Sequence, residues 1–212
     1  MDRQGLIGWI KQRLLEPLPG VAAQELMAAR VLPMPLKVPS NARESAVLCL
    51  LFHKNGLPHV LLIKRMADKG AHSGQVSFPG GRRDPEDPGL QETALREMYE
   101  ETGIDAAAIQ ILGALTPLYI PVSNFMVYPF VGYTNQPPQY NLSQAEVDYV
   151  MEIPLKDLFA AERKTTVDVT SPAIPDVIRQ VKAYLLQDGT IIWGATAMIL
   201  SELEVVTKDI IS

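Results

Sequence analysis

Asn55-Gly56 stands between two apolar runs, residues 45–53 and 59–64. Both residues tolerate the left-handed backbone of a two-residue hairpin turn, so the pair commits this stretch to adjacent antiparallel strands. That rules out an all-helical fold. Further strands are predicted at 109–118, 125–133 and 146–153, and a second hairpin from 177–186 and 190–193, turning at Asp188-Gly189. Helical stretches at 90–102, 155–160 and 195–208 fall among them without regular strand–helix alternation. The mixture predicts an α+β fold, a mixed β-sheet sandwiched between helices. Upstream, helices predicted at 2–16 and 22–31 stop at Pro17 and Pro33, and a Pro-rich linker runs to Pro39. The chain thereby divides into an N-terminal helical extension, residues 1–40, and a main domain, residues 41–212.

A chain of 212 residues can bury a substantial core, and 47% hydrophobic with 20% charged residues excludes disorder. Lys and Arg total 19 against 24 Asp and Glu, a formal net charge of -5. A general nucleic-acid binder needs a basic face to neutralise phosphates, so that class is disfavoured. An anionic small molecule is not, because a local basic rim and bound cations can outweigh a mildly acidic whole. No stretch approaches the ~18 apolar residues of a membrane span. Lys11 and Arg13 interrupt the apolar segment 6–15, so it does not read as a secretory signal. The single cysteine, Cys49, lies inside an apolar run and reads as a buried structural thiol rather than a nucleophile. One thiol makes no internal disulfide, and a cytoplasmic, reducing location is expected.

The chemistry concentrates in residues 80–104. Asp87 suits the N-cap of a helix, Pro88 its first position and Gly103 its C-terminal stop. At ~100° per residue, Ala94, Leu95, Met98, Tyr99 and Thr102 form an arc expected to face the core. Glu97, Glu100 and Glu101, spaced i, i+3 and i+4, are expected together on the opposite arc. Like charges so placed repel by roughly 0.2–0.5 kcal/mol per pair. Two readings follow: a solvated charged face, or a seat for a hard divalent cation. Mg²⁺ prefers carboxylate oxygens and keeps several waters, which makes it a partner for substrate phosphates. Gly80-Gly81 and Arg82-Arg83 put flexible backbone and positive charge beside the acidic cluster, which favours the second reading.

The whole stretch resembles the Nudix box: Gly, five residues, Glu, seven residues, Arg-Glu, an apolar residue, any residue, Glu-Glu, any residue, Gly and an apolar residue. Arg96-Glu97-Met98-Tyr99-Glu100-Glu101-Thr102-Gly103-Ile104 matches the second half at every specified place, and Gly81 supplies the opening glycine. In the first half Asp87 stands at the acidic position, and eight residues rather than seven separate it from Arg96. Helix capping is the role expected of it. Leu61-Leu62-Ile63-Lys64-Arg65 and Gly74-Gln75-Val76-Ser77-Phe78-Pro79-Gly80-Gly81 are similar to the motif preceding the box in the coenzyme A pyrophosphatase branch of that family. The lengthened box, Glu146-Val147 and Trp193-Gly194-Ala195-Thr196-Ala197 are similar to that branch too. It usually has Thr, Ser and Arg where this chain has Ile63, Met66 and Gly70, with Lys69 the candidate substitute for the arginine.

The resemblance implies a Nudix fold and a pyrophosphatase dependent on Mg²⁺ (or Mn²⁺). Its implied substrate is coenzyme A or its thioesters, cut to 3′,5′-ADP and (acyl-)4′-phosphopantetheine. It implies Glu97 and Glu101 as principal metal ligands, Glu100 as a third ligand or base, and the Gly81 carbonyl completing the coordination. Arg96 becomes an orienting partner for a glutamate, beside an i,i+4 pair with Glu92. Glu146 is a further candidate ligand or general base. Lys64, Arg65, Arg82 and Arg83 are candidate phosphate-binding residues, each with a solvated surface charge as the alternative. His72 is a candidate hydrogen-bond donor, and Tyr119, Phe125 and Tyr128 are candidate adenine stackers, with structural packing as the alternative. Two other functions stay open: hydrolysis of ADP-ribose or another nucleoside diphosphate derivative, and a non-catalytic Nudix-fold binding module. Retention of Glu97, Glu100 and Glu101 argues against the module. No nucleic-acid or membrane partner is expected, and a homodimer through the N-terminal helices is one option for assembly.

Overall fold

A computed structural model describes residues 3–29, 36–67, 74–171 and 174–211. Helices α1 (Arg3–Leu15) and α2 (Gly20–Glu25) precede the first hairpin, β1 (Arg43–Lys54) and β2 (Leu57–Arg65). Asn55 and Gly56 take φ of 53° and 78°, the left-handed pair that the turn requires. Short strands β3 (Val76–Ser77) and β4 (Gly80–Arg82) lead to α3 (Leu90–Thr102). Then come β5 (Gln110–Ala114), β6 (Leu118–Ile120), β7 (Phe125–Thr134), β8 (Val147–Pro154) and α4 (Leu155–Leu158). Strands β9 (Lys164–Ser171), β10 (Ile174–Leu185) and β11 (Ile191–Trp193) precede the closing helix α5 (Ala195–Ile211).

The main sheet runs β3-β2-β1-β7-β5, with β4 also on β1, β6 on β7 and β8 on β2. β1 and β7 pair in parallel and the other pairs are antiparallel, so the sheet is mixed. Because β1 is central it is apolar on both faces. Ala46, Leu48, Leu50 and Phe52 pack with Ala94 and Met98 of α3 on one side. Cys49 and Leu51 join the larger cluster of α1 and α5 on the other, with Leu6, Ile10, Leu200 and Leu203. Each such fully buried Leu, Ile or Phe contributes about 1.5–3 kcal/mol. Helices therefore cover both faces, and the predicted α+β architecture is the one observed.

The N-terminal segment belongs to this core. Buried Glu202 on α5 accepts hydrogen bonds from Gly20 N (3.1 Å), Gln24 Nε2 (3.0 Å) and Thr116 Oγ1 (2.7 Å), and from the Thr116 backbone N–H. That last bond also explains one departure. The strand predicted at 109–118 breaks into β5 and β6, since the Thr116 N–H is diverted to Glu202 and Pro117 has no N–H to offer a ladder. Of the helix predicted at 22–31, positions 30 and 31 lie outside the described residues, and over the rest the helix is shorter and earlier, Gly20–Glu25. The predicted second hairpin gains a third strand, β9, in a separate β11-β10-β9 sheet. No helix among the described residues is long and apolar enough to cross a membrane.

Candidate active site

Helix α3 starts after Gly89, which is extended at φ -161° and ψ 176°, and stops at Gly103 in the left-handed region at φ 77°. The expected stop is therefore found and the expected N-cap is not. Asp87 is buried instead, and its carboxylate is taken by Arg96. Nε and Nη2 of Arg96 donate to its two oxygens at 2.9 Å each, and Thr93 Oγ1 (2.8 Å) and Asp84 N (3.0 Å) complete its shell. A bidentate guanidinium pair outcompetes a single helical N–H for the same carboxylate. The Arg96 hydrogen bonds hold Asp87 well below the usual carboxylate range, and the same bonds raise Arg96 above its own.

Arg96 is a hub. Its Nη1 donates to Glu97 Oε1 (3.1 Å) and Glu100 Oε2 (2.8 Å), and its Nη2 to the Arg82 carbonyl (3.1 Å). Its i,i+4 partner is thus Glu100, and the expected pair with Glu92 is replaced. These bonds stitch the loop of residues 82–87 to the middle of α3.

The expected division of α3 into faces is corrected at two places. Tyr99 is 59% exposed, whereas the Glu101 side chain is 1% exposed and lies between α3 and the sheet. Burial is possible because Arg65 Nη1 donates to Glu101 Oε1 (2.9 Å) and Gly80 N to Oε2 (2.8 Å). An isolated buried carboxylate would instead be strongly disfavoured. Even so, burial pushes the Glu101 carboxyl up to about 7; Arg65 and the Gly80 N–H oppose the shift, and Glu97 and Glu146 add to it. Glu97, 15% exposed, is raised too, by burial first, with Glu100 and Glu146 contributing against Arg96. Glu100 is half in solvent at 51%.

Strand β4 sets the other wall. It pairs with β1, Gly81 opposite Ala46, and carries Gly80 to Glu101 and Gly81 to Glu97. A Cβ on Gly81 would collide with the Glu97 carboxylate. Glycine is what lets the backbone and this carboxylate touch.

The other predicted residues divide. Glu146 is exposed on the turn before β8, near enough for its charge to act on both Glu97 and Glu101. Arg65 reaches the cluster, and Arg82 sits beside it through its backbone. Arg83 pairs with Glu44 at 2.9 Å. Lys64 is not brought in: strand alternation carries it to the face opposite Arg65, cross-strand from Tyr149. Tyr119 is hydrogen-bonded to Asn124 (2.9 Å), and the Phe125 ring is covered by the Arg43 guanidinium at 4.1 Å. Tyr128 is half-buried in β7. His72, Lys69 and Gly70 lie outside the described residues.

Among the described residues no three His, Cys, Asp or Glu side chains converge as a complete metal cage. Mg²⁺ does not need one, since it is commonly held by one or two carboxylates plus waters and substrate phosphates. Glu97 and Glu101 fit that requirement. Each is driven towards its neutral form by burial and by the other acids, and a divalent cation would relieve both effects.

A family model described as NUDIX domain matches residues 42–176. The chain is also 36% identical over 180 residues to the Nudix hydrolase NudL of Pectobacterium atrosepticum, covering 84% of this chain and 90% of that one. The chain belongs to the Nudix family. Two solved structures share the Nudix fold at 17% identity. RenU, a Nudix hydrolase from M. smegmatis, matches with TM-score 0.53 over 80% of this chain and 88% of its own. A MutT/nudix family protein from Enterococcus faecalis matches with TM-score 0.52 over 99% and 75%. The protein is accordingly a Nudix hydrolase, acting on phosphoanhydride bonds, and the family generally works with divalent metal cations.

Proposed function

We propose that this Nudix hydrolase cleaves the pyrophosphate of coenzyme A or acyl-coenzyme A to 3′,5′-ADP and (acyl-)4′-phosphopantetheine, using Mg²⁺ or Mn²⁺. The observation that carries the reaction class is the pair of acids Glu97 and Glu101, the first against Gly81 and the second hydrogen-bonded to the Gly80 N–H, with cationic Arg96 and Arg65 fixing their oxygens. The substrate rests on the likeness of residues 61–65 and 74–81 to the coenzyme A branch. A cytoplasmic setting rests on the single thiol, Cys49, which is buried.

Glu97 and Glu101 would hold the cation, with Glu100 and the Gly81 carbonyl as further ligands. Once bound it supplies Lewis acidity that neutralises charge on the pyrophosphate oxygens and acidifies the attacking water. Arg96 keeps Glu97 and Glu100 in fixed rotamers, and Arg65 keeps Glu101 aligned. Arg82 and Arg83 offer positive charge to the outer phosphates. Glu146 takes the proton of the water as it adds to one phosphorus. The bridging P–O bond breaks, the other phosphate leaves with its electron pair, and two monoesters result.

The test is a substrate panel of coenzyme A, acyl-coenzyme A, ADP-ribose and NADH, with and without Mg²⁺, with products separated by chromatography. Release of 3′,5′-ADP that needs metal and disappears in Glu101→Gln supports the reading. Turnover of ADP-ribose alone keeps the mechanism and removes coenzyme A. No turnover of any member would favour the binding-module alternative.

A further inference from the structure

Residues 140–146 form a strap across the C-terminal end of α3. Tyr140 anchors one end: its hydroxyl donates to Glu152 Oε1 at 2.6 Å, and Glu152 is ion-paired with Lys54. Asn141 N then donates to the Thr102 carbonyl (2.9 Å) and Ser143 N to the Glu101 carbonyl (3.1 Å). Two of the carbonyls that a helix end leaves without internal partners are met this way. The Ser143 carbonyl accepts from Glu146 N (3.0 Å) and Val147 N (2.8 Å), and the Glu146 carbonyl accepts from Met66 N (2.8 Å). Glu146 is therefore held between the end of α3 and the end of β2, whose last residue is Arg65, the ion-pair partner of Glu101.

The seat of the strap is Gly103. Its φ of 77° already disfavours a side chain, and a Cβ there would also stand 2.8 Å from Asn141 Cβ and 3.0 Å from both Asn141 N and O. Ending the helix requires the first property. Only contact with the strap explains the second.

We propose that Gly103 and Tyr140 are positioning residues that set Glu146 over the Glu97–Glu101 pair by seating the strap on the end of α3. The proposal rests on the reading of Glu146 as the proton acceptor. It is supported by the action of the Glu146 charge on both Glu97 and Glu101. α3 and the strap then act as one body, so that the carboxylates of the helix and the acid brought from outside it keep a fixed spacing. Misplacement by about 1 Å is enough to cost roughly a hundredfold in rate.

The experiment compares kcat, KM and Mn²⁺ affinity for the wild type, Glu146→Gln, Gly103→Ala, Tyr140→Phe and the two doubles that include Glu146→Gln. The substrate is whichever member of the panel is turned over fastest, and Mn²⁺ affinity is read from the electron paramagnetic resonance of the free ion, without substrate. Glu146→Gln should lower kcat about 100-fold or more, the usual range for losing a general base. Gly103→Ala should lower kcat about 10- to 100-fold, and Tyr140→Phe by a smaller factor. KM and Mn²⁺ affinity should stay within about twofold, and neither change should matter further in the Glu146→Gln background, since residues acting as a unit are non-additive. If Glu146→Gln loses activity but the losses multiply in the doubles, the positioning role is wrong and the reading of Glu146 survives. A drop in Mn²⁺ affinity matching the drop in kcat for Gly103→Ala would equally overturn it, by placing the damage in α3. Full activity in Glu146→Gln would remove both. Should Gly103→Ala not fold, Tyr140→Phe decides alone.

Discussion

Replacing Glu101 with Gln should end turnover and remove a loss of stability that the metal-free protein suffers as pH rises from about 4.5 to about 7. Burial is the main reason its carboxyl is pushed up to about 7 from an ordinary 4.5. The folded protein therefore binds this proton more tightly than the unfolded chain does. A carboxyl raised in this way leaves the fold most stable below the unfolded value, and stability falls as pH climbs from about 4.5 to about 7 before levelling off. At ~1.4 kcal/mol per unit the gap is worth about 3 kcal/mol, and with the side chain 1% exposed there is little solvent to screen it. Gln has nearly the same shape and no charge at any pH, but its amide NH₂ faces one of the two donors, Arg65 Nη1 or Gly80 N, at a cost of about 1–3 kcal/mol that does not vary with pH. Urea unfolding in the presence of a chelator should therefore show the difference between variant and wild type moving in the variant's favour by about 2–3 kcal/mol from pH 5 to pH 8. Adding Mn²⁺ at pH 8 should move the difference back towards the wild type, because the ion would bind native wild type and not its unfolded chain. Parallel stability curves for the two proteins from pH 5 to 8 would refute the reasoning. So would a difference that moves in the wild type's favour as the pH rises, which would mean that Arg65 and the Gly80 N–H outweigh the cost of burial.

Asp87→Asn should destabilise the protein by about 2 kcal/mol at pH 7, the scale of hydrogen bonds to a charged group. Because Arg96 holds Asp87 low, that contribution is present above the ordinary carboxylate range and is lost as pH falls through the depressed value, so the gap in urea unfolding should shrink in acid. Glu202→Gln turns an amide NH₂ towards the donors of Gly20, Gln24 and Thr116 and should cost about 2–3 kcal/mol. Hydrogen exchange should speed up in α2 before it does so in α3.

Much of the fold could be read because its signals are local. Asn55-Gly56 specifies its hairpin within four residues, and the acidic spacing of 97, 100 and 101 marks a helix without help from elsewhere. β9 carried a readable signal as well: Thr165, Val167 and Val169 alternate with Lys164, Thr166, Asp168 and Thr170, and the first set is the less exposed. Its low hydrophobicity hid it. The inward turn of Glu101 had no such signal. A helical wheel sends carboxylates outward because an unpaired buried one is costly, and the groups that compensate here lie 36 and 21 residues away at Arg65 and Gly80. Asp87 misled for the opposite reason, since a sound local cap was available and a stronger partner at Arg96 claimed the carboxylate.

What assembles the site is largely main chain: the Gly80 N–H on Glu101, the Arg82 carbonyl on Arg96, and the Asn141 and Ser143 N–H groups on the end of α3. Backbone groups are the same in nearly every residue, so such contacts leave no preference for a side chain at the donating position. They do leave one where the approach is too close for a Cβ. Gly81 lies against the Glu97 carboxylate and Gly103 against Asn141, and in both cases a methyl group would fall inside the contact. The two glycines of the box are thus the written trace of contacts that are otherwise silent in sequence. They mark where loop backbone presses on α3: Gly81 at its middle, beside the Glu97 carboxylate, and Gly103 at its end, where the strap carrying Glu146 is seated.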